Sequence, residues 1–398
     1  MKYIYTILLL LMFTNVVSAG VSSMGADSIV AASESAKKSS SKKSSSKKNS
    51  PNIRTAVLKD GTSYVGTMRG RRPHGEGKAV YPDGSVYDGT FVKGQRQGYG
   101  VLILANGERY EGEFFANKYH GIGTLYYLNG SVYDGEWDDG VRQGEGKITY
   151  NNGDAYIGSW SDDKRSGKGN YYYYSGASYV GEWENDLYDG HGRFIWNDNS
   201  RYLGEWKNNL RNGQGTYTFV NGDVYTGSWK DDVRDGEGEY LFANGDKYEG
   251  FYSAGLWNGK GIYTSAVGEI YEGYFVNGKR SGYGKMTLEN GACYDGNWVD
   301  NKRSGKGKYY WANGDSYEGD WLDDTMHGSG ILRLATGAKY RGGFVNGKEE
   351  GCGIAVDEDG VRYEGTFKNG LRDGTFIIKD SDGNVVRECD YVMGELKK

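Results

Sequence analysis

The sequence predicts an all-β fold: an elongated, single-layer antiparallel meander of stacked β-hairpin repeats, open at both ends, with a disordered N-terminal tail. Three observations predict it. A tyrosine returns every 23 residues with no insertion or deletion, at Tyr64, Tyr87, Tyr110, Tyr133, Tyr156 and onward to Tyr363, fourteen copies in phase. Each is followed two residues later by glycine and four residues later by an aromatic ring, Met68 being the one exception. Asp-Gly or Asn-Gly pairs punctuate the chain at a second fixed phase, and Gly-x-Gly at a third. Self-similarity at a fixed period of roughly 20–50 residues marks a repeat array.

Taken in order, residues 1–19 read as a secretory signal peptide. Lys2 supplies the positive start, Ile4 to Phe13 a short apolar stretch, and Val17-Ser18-Ala19 a small-residue cleavage site. An uncleaved membrane anchor is the alternative. Residues 20–52 repeat a Lys-Lys-Ser-Ser-Ser unit without apolar periodicity, and are expected to be a disordered linker. Its lysines, Lys37, Lys38, Lys42, Lys43, Lys47 and Lys48, form a candidate electrostatic tail for an anionic surface. The expected location is therefore secreted, periplasmic or attached to the cell envelope.

Residues 53–383 are the array. In one unit, Lys147–Tyr150 and Asp154–Trp160 flank Asn152-Gly153, a strong hairpin signal that is expected to form a type I′ turn with both residues at positive φ. The second connection, Ser161 to Gly169, reads as a polar, glycine-rich loop. Strand alternation sets Tyr133, Gly135 and Trp137, then Tyr156, Gly158 and Trp160, on one face as the structural core of their repeats. The glycine leaves a notch in which a neighbouring aromatic can lie flat. A companion row comprises Tyr150, Tyr173, Trp196, Phe219 and Phe242. One hairpin alone would be marginal, so stability must come from stacking neighbours. Thirteen steps of two strands imply a sheet roughly 125 Å long at about 4.8 Å per strand. Residues 384–398 break the frame, with Val386 where the next tyrosine would stand, and are expected to cap the array.

Composition narrows the function classes. Glycine is 66 of 398 residues but proline only 3, which excludes collagen. Residues 1–50 carry seven lysines and two acids; the remainder carries 41 basic and 51 acidic residues, too acidic for a nucleic-acid-binding body. Three scattered cysteines, Cys293, Cys352 and Cys389, make no disulfide framework. His74 and His120 sit two repeats apart, roughly 20 Å by strand spacing, so the four histidines cannot share one metal. Gly-x-Gly recurs as architecture and no phosphate-binding loop is present. Asp380-Ser381-Asp382-Gly383-Asn384 has its glycine too early for a calcium loop and reads as a turn. The carboxylates recur with the repeat, so no singular catalytic pair stands out. No enzyme activity, cofactor or metal is expected.

One charged row stands out. Nine residues after the repeat tyrosine lie Arg96, Arg142, Arg165, Arg211, Arg234, Arg280, Arg303 and Arg372. A ladder of guanidiniums on one long edge could bind phosphates or carboxylates of a lipid or partner. The competing expectation is local pairing, with Asp138 and Asp139 serving Arg142, and Asp231 and Asp232 serving Arg234.

The iterated Tyr-x-Gly-x-Trp, polar turn and Gly-x-Gly, with His-Gly surviving at His74, His120 and His327, resemble the MORN repeat (membrane occupation and recognition nexus). The resemblance implies a hairpin array mediating protein–protein contact or membrane apposition, often as a scaffold or homodimer. The expected function is a non-catalytic scaffold presenting its sheet to a protein partner. The alternatives are peripheral binding to anionic phospholipid and, third, binding of glycans on aromatic platforms.

Overall fold

The computed structural model describes residues 53–397, so the signal peptide, the Ser/Lys segment and its six tail lysines lie outside the described residues. Every regular element among the described residues is a β-strand, 32 in one antiparallel sheet. Strands pair with their neighbours in the chain, beginning with Ile53–Val57 on Ser63–Arg69 and ending with Val385–Val392 on Glu395–Leu396, except that Leu371–Arg372 and Gly374–Lys379 both pair with Arg362–Lys368. A repeat contributes a seven-residue strand and a nine-residue strand, such as Ala155–Ser161 and Lys164–Tyr172. The expected meander is therefore observed.

Both turn expectations need correction. Asn-Gly forms a three-residue loop: Gly153 N–H donates to Tyr150 O at 3.0 Å and Tyr150 N–H to Asp154 O at 2.9 Å. Only Gly153 takes positive φ, +90°, while Asn152 does not. This is a type I turn closed by a glycine bulge, and Asn152 Oδ1 fixes it by accepting from Asp154 N–H at 3.0 Å. The two-residue turn with both residues left-handed occurs at the other connection, at Asp162 (φ +50°) and Asp163 (φ +65°). What reads as a nine-residue loop is thus a tight turn followed directly by a strand. Its early glycine, Gly167, supplies a bulge: Gly158 faces Gly169 but Trp160 faces Arg165.

The core is built on one face. The twelve repeat tyrosines from Tyr64 to Tyr317 are fully buried. Tyr156 folds back over its own strand and the next, and its hydroxyl donates to Ser159 O at 2.8 Å. The ring covers Gly169 so closely that a Cβ there would lie 2.3 Å from Tyr156 Oη. The notch anticipated from the glycines is real, and the ring that fills it belongs to the same repeat. Trp183 stands edge-on between Tyr156 (centroids 5.2 Å apart) and Tyr179 (5.3 Å), with its Nε1 donating to Gly169 O at 3.1 Å. Repetition of this contact gives an edge-to-face chain of rings, an arrangement the aromatic quadrupole favours.

The frame ends at Phe376, upstream of 384. Phe376 occupies the position where Gly353 and its predecessors admit a tyrosine ring, and it fills the notch over Gly365 itself. Tyr363 is displaced outward, half-buried beneath Arg372. Val385–Val392 then pairs with Gly374–Lys379, so the cap is a further pair of strands.

Candidate interaction surface

The pleat gives the sheet two unlike faces. The first carries the tyrosines, the edge-on rings and the arginine row. Arg165 shows how that row is seated. Its guanidinium lies 4.4 Å from the Trp183 ring centroid, and its Nε donates to Asp186 Oδ1 at 2.9 Å. Its backbone N–H donates to the same oxygen at 3.0 Å, and its Nη2 to Asp186 O at 3.0 Å. Asp186 N–H donates in turn to Arg165 O at 3.0 Å. Arg142 repeats this with Trp160 and Asp163, Arg211 with Trp229 and Asp232, and Arg303 with Trp321 and Asp324.

The remaining arginines keep the seat with weaker partners. Arg96 and Arg280 donate through Nη2 to the carbonyls of Asn117 (2.7 Å) and Asn301 (3.2 Å), and Arg234 to that of Gly255 (3.0 Å). Arg372 stacks on Tyr363 at 3.7 Å. Burial pulls the Arg280 guanidinium below its usual value. Where an acid serves the arginine, at Arg142, Arg165, Arg211 and Arg303, it belongs to the next repeat, 21 residues ahead, and not to its own. Asp138 and Asp139 turn instead to the preceding repeat, at His120 and Lys118. The cause is the two-residue turn, which leans back over its predecessor: Gly140 N–H donates to Tyr119 O at 3.0 Å.

Three of the six gaps in the arginine row hold aromatic rings, the others being Pro73, Met326 and Glu349. Tyr119, Tyr188 and Trp257 occupy the same seat and stack flat on Tyr110, Tyr179 and Tyr248, with centroids 3.8, 3.8 and 4.3 Å apart. The seat thus accepts a flat ring as well as a guanidinium. These three positions are separated by three repeats each, a superperiod legible in the sequence once the gaps are aligned.

The second face differs. Between Glu237 and Asp295 it forms a groove of about 740 Å³, and between Tyr283 and Thr366 another of about 1090 Å³. Its side chains vary from repeat to repeat: Ile157 and Ser159 in one strand correspond to Glu249 and Phe251 in another. Phe251, Tyr274 and Tyr283 are exposed here at 45, 43 and 58%. Sequence reading missed these rings because it assigned the aromatics as a class to the packed rows. Their signal was phase, since they fall on the odd positions of the alternation.

Among the described residues, no group of three His, Cys, Asp or Glu is placed to hold a metal. No helix of the described residues is long and apolar enough to cross a membrane. All three cysteines are free thiols.

The MORN repeat family model matches fourteen consecutive segments, from 64–86 through 340–362 to a shorter last segment at 363–375. The chain belongs to the MORN-repeat family. That family supports a scaffold or interaction role and is generally non-catalytic. No curated protein matches the sequence. Among solved structures, the chain is similar to the TCP domain of Drosophila melanogaster SAS-4 in complex with a proline-rich motif of Ana2: TM-score 0.26, 15% identity, covering 39% of this chain and 85% of that one. It is also similar to the CPAP G-box domain, with TM-score 0.23, 13% identity and coverage of 52% and 99%. A third is virginiamycin B lyase from Staphylococcus aureus, with TM-score 0.12, 11% identity and coverage of 82% and 94%.

Proposed function

We propose that this MORN-repeat chain is an exported, non-catalytic scaffold whose second sheet face receives a protein partner. The observation that carries this reading is the unequal use of the two faces. The first face is consumed by its own packing, whereas the second leaves varied side chains and two grooves open along successive repeats. A scaffold needs such a division, because a repeat whose every position served stability would have none left for recognition.

The arginine row belongs to the scaffold. In four repeats the guanidinium is held by a carboxylate, a carbonyl and an indole face, with only about a fifth of the side chain exposed in Arg142, Arg165, Arg211 and Arg303. A phosphate or lipid headgroup would have to displace those contacts. Attachment to anionic lipid then falls to the tail lysines, and exchange of all six for serine should abolish any salt-sensitive co-sedimentation with anionic vesicles.

The partner reading is tested with a photo-crosslinking amino acid at Tyr283 in the full chain, in the cells that express it. A discrete protein adduct, missing when the same group replaces the buried-face residue Tyr150, is expected. Adducts to lipid alone would overturn the protein-partner reading in favour of membrane apposition.

A further inference from the structure

The smaller groove on the second face has a chemistry that packing does not require. It crosses six strands, from Val233–Leu241 to Cys293–Val299, roughly 24 Å at about 4.8 Å per strand. Two lines of side chains run across it. In one, Glu237 faces Phe251, Lys260 faces Tyr274, and Tyr283 faces Asn297. In the other, Glu239 faces Glu249, Ile262 lies between Glu249 and Glu272, and Lys285 lies between Glu272 and Asp295. Like charges directly opposite on neighbouring strands are destabilising, and here only Lys247 offsets them, with Nζ 2.8 Å from Glu239 and 3.0 Å from Glu249.

The groove lining holds five carboxylates against two lysines, Lys260 and Lys285. Lys260 lies over the Tyr274 ring at 5.6 Å, so a cation already uses that platform from within the chain. Tyr283 donates its hydroxyl to Asp295. The neighbouring, larger groove is a natural control: its lining sets three acids against three bases and only one aromatic, the Tyr283 that both share. Acids recur elsewhere on this face, as at Glu111, Asp134 and Glu136, but the pairing of an acid excess with a run of open rings separates the smaller groove from the larger one.

We propose that this groove binds an extended cationic segment of a partner protein, whose Lys or Arg side chains lie on Phe251, Tyr274 and Tyr283 and pair with Glu239, Glu249 and Glu272. Open rings beside carboxylates recognise a cation twice, through the ring quadrupole and through charge. The occupant is a polycationic chain and not an anionic lipid, because the groove repels phosphate. This inference rests on the scaffold reading and names its partner's chemistry.

The test uses the full chain and fluorescein-labelled octalysine, with octaglutamate as the control peptide, read by anisotropy. Saturable octalysine binding is expected, with none for octaglutamate. Glu249→Lys with Glu272→Lys should weaken it at least tenfold. The same charge change elsewhere on the same face, Glu111→Lys with Asp134→Lys, should weaken it less than twofold. Phe251→Ser with Tyr274→Ser, which leaves charge unchanged, should weaken it at least threefold. Circular dichroism on each variant verifies the fold, and Glu249→Gln with Glu272→Gln replaces any charge-reversed pair that fails to fold. Equal losses in the two charge-reversed proteins, or no loss on removal of the rings, would overturn the proposal. A protein crosslink at Tyr283 without selective octalysine binding would leave the scaffold reading standing and remove this one.

Discussion

The two faces of this sheet come from the same strands and the same hydrogen-bond ladder, yet they obey different rules. On the first, Tyr156 over Gly169 and Trp183 between two tyrosines recur with almost no variation, because a Cβ at the glycine or a missing ring would open or overfill a site with no slack. On the second, Ile157, Glu249 and Arg341 stand at equivalent positions, all exposed. The pleat makes this division possible, since adjacent residues point to opposite sides. The difference teaches that a repeat sequence is two interleaved messages: one specifies the array, and the other is free to specify what the array meets.

The severest way to break the comparison is alkaline pH, which acts most strongly on the buried rings of the first face. Burial pushes Tyr225, Tyr271 and Tyr340 up to about 12 from an ordinary value of 10.0, and raises the other repeat tyrosines as well. In the unfolded chain they release protons near the ordinary value, while in the fold they remain neutral. The stability their burial provides is therefore intact below pH 10 and is lost as pH rises toward and through about 12. Each buried tyrosine can remove up to about 1.4 kcal/mol per pH unit in that window, and the effects accumulate along the array. Far-UV circular dichroism should collapse cooperatively between pH 10 and 12, together with the phenolate absorbance. Gradual phenolate formation with an unchanged sheet signal would contradict the packing described.

Glycine substitution separates first-face packing from turn geometry within one repeat. At Gly169 a Cβ meets Tyr156 Oη at 2.3 Å and Cε2 at 2.4 Å, so Gly169→Ala forces the ring out of its notch. A loss of roughly 3 kcal/mol or more is expected, at the upper end of overpacking costs. Gly176 has φ +96° but open space around it, so Gly176→Ala meets backbone strain alone. That change should cost about 1–2 kcal/mol. Urea unfolding of the two variants measures the gap.

How far the sequence alone carries depends on whether a feature lies within one strand or between repeats. Strand identity and the buried face of Tyr156, Gly158 and Trp160 follow from alternation in a single segment, and both were legible. The turn types were not, because Asn-Gly and Asp-Gly letters suit both a type I′ turn and a type I turn with a glycine bulge. What decides is the number of residues between the paired positions, three at Asn151-Asn152-Gly153 and two at Asp162-Asp163. The partner of Arg142 was illegible for a related reason: Asp163 is far in sequence and near only because one turn leans on its predecessor. The cap was within reach, since Phe376 stands where every earlier repeat has the second glycine.

The arginine seat offers a gentler test of the first face. Arg165→Ala removes the stack on Trp183 and one side of the Asp186 contact, and should cost about 2 kcal/mol from a partly desolvated cation–π contact and a charged hydrogen bond. Arg165→Tyr with Asp186→Asn copies the seat that Tyr188 and Asn209 already form, where Tyr188 N–H donates to Asn209 Oδ1 at 2.8 Å. That double variant should remain within about 0.5 kcal/mol of the parent chain. If it falls as far as Arg165→Ala, the seat is specific for charge, and the stacked tyrosines are a separate device.

The smallest stability effect belongs to the second face, and its smallness is what gives it meaning. Phe251 and Tyr283 are about half exposed and rest on no ring of the core chain. Phe251→Ser with Tyr283→Ser should therefore change unfolding free energy by no more than about 0.5 kcal/mol, the range of ordinary surface substitutions. The same pair should lower octalysine affinity severalfold. A large stability loss would mean that these rings pack the array after all, and the division between faces would no longer hold in these repeats. A small loss together with lost binding would place recognition where alternation predicts it, on the residues that the repeat leaves unspecified.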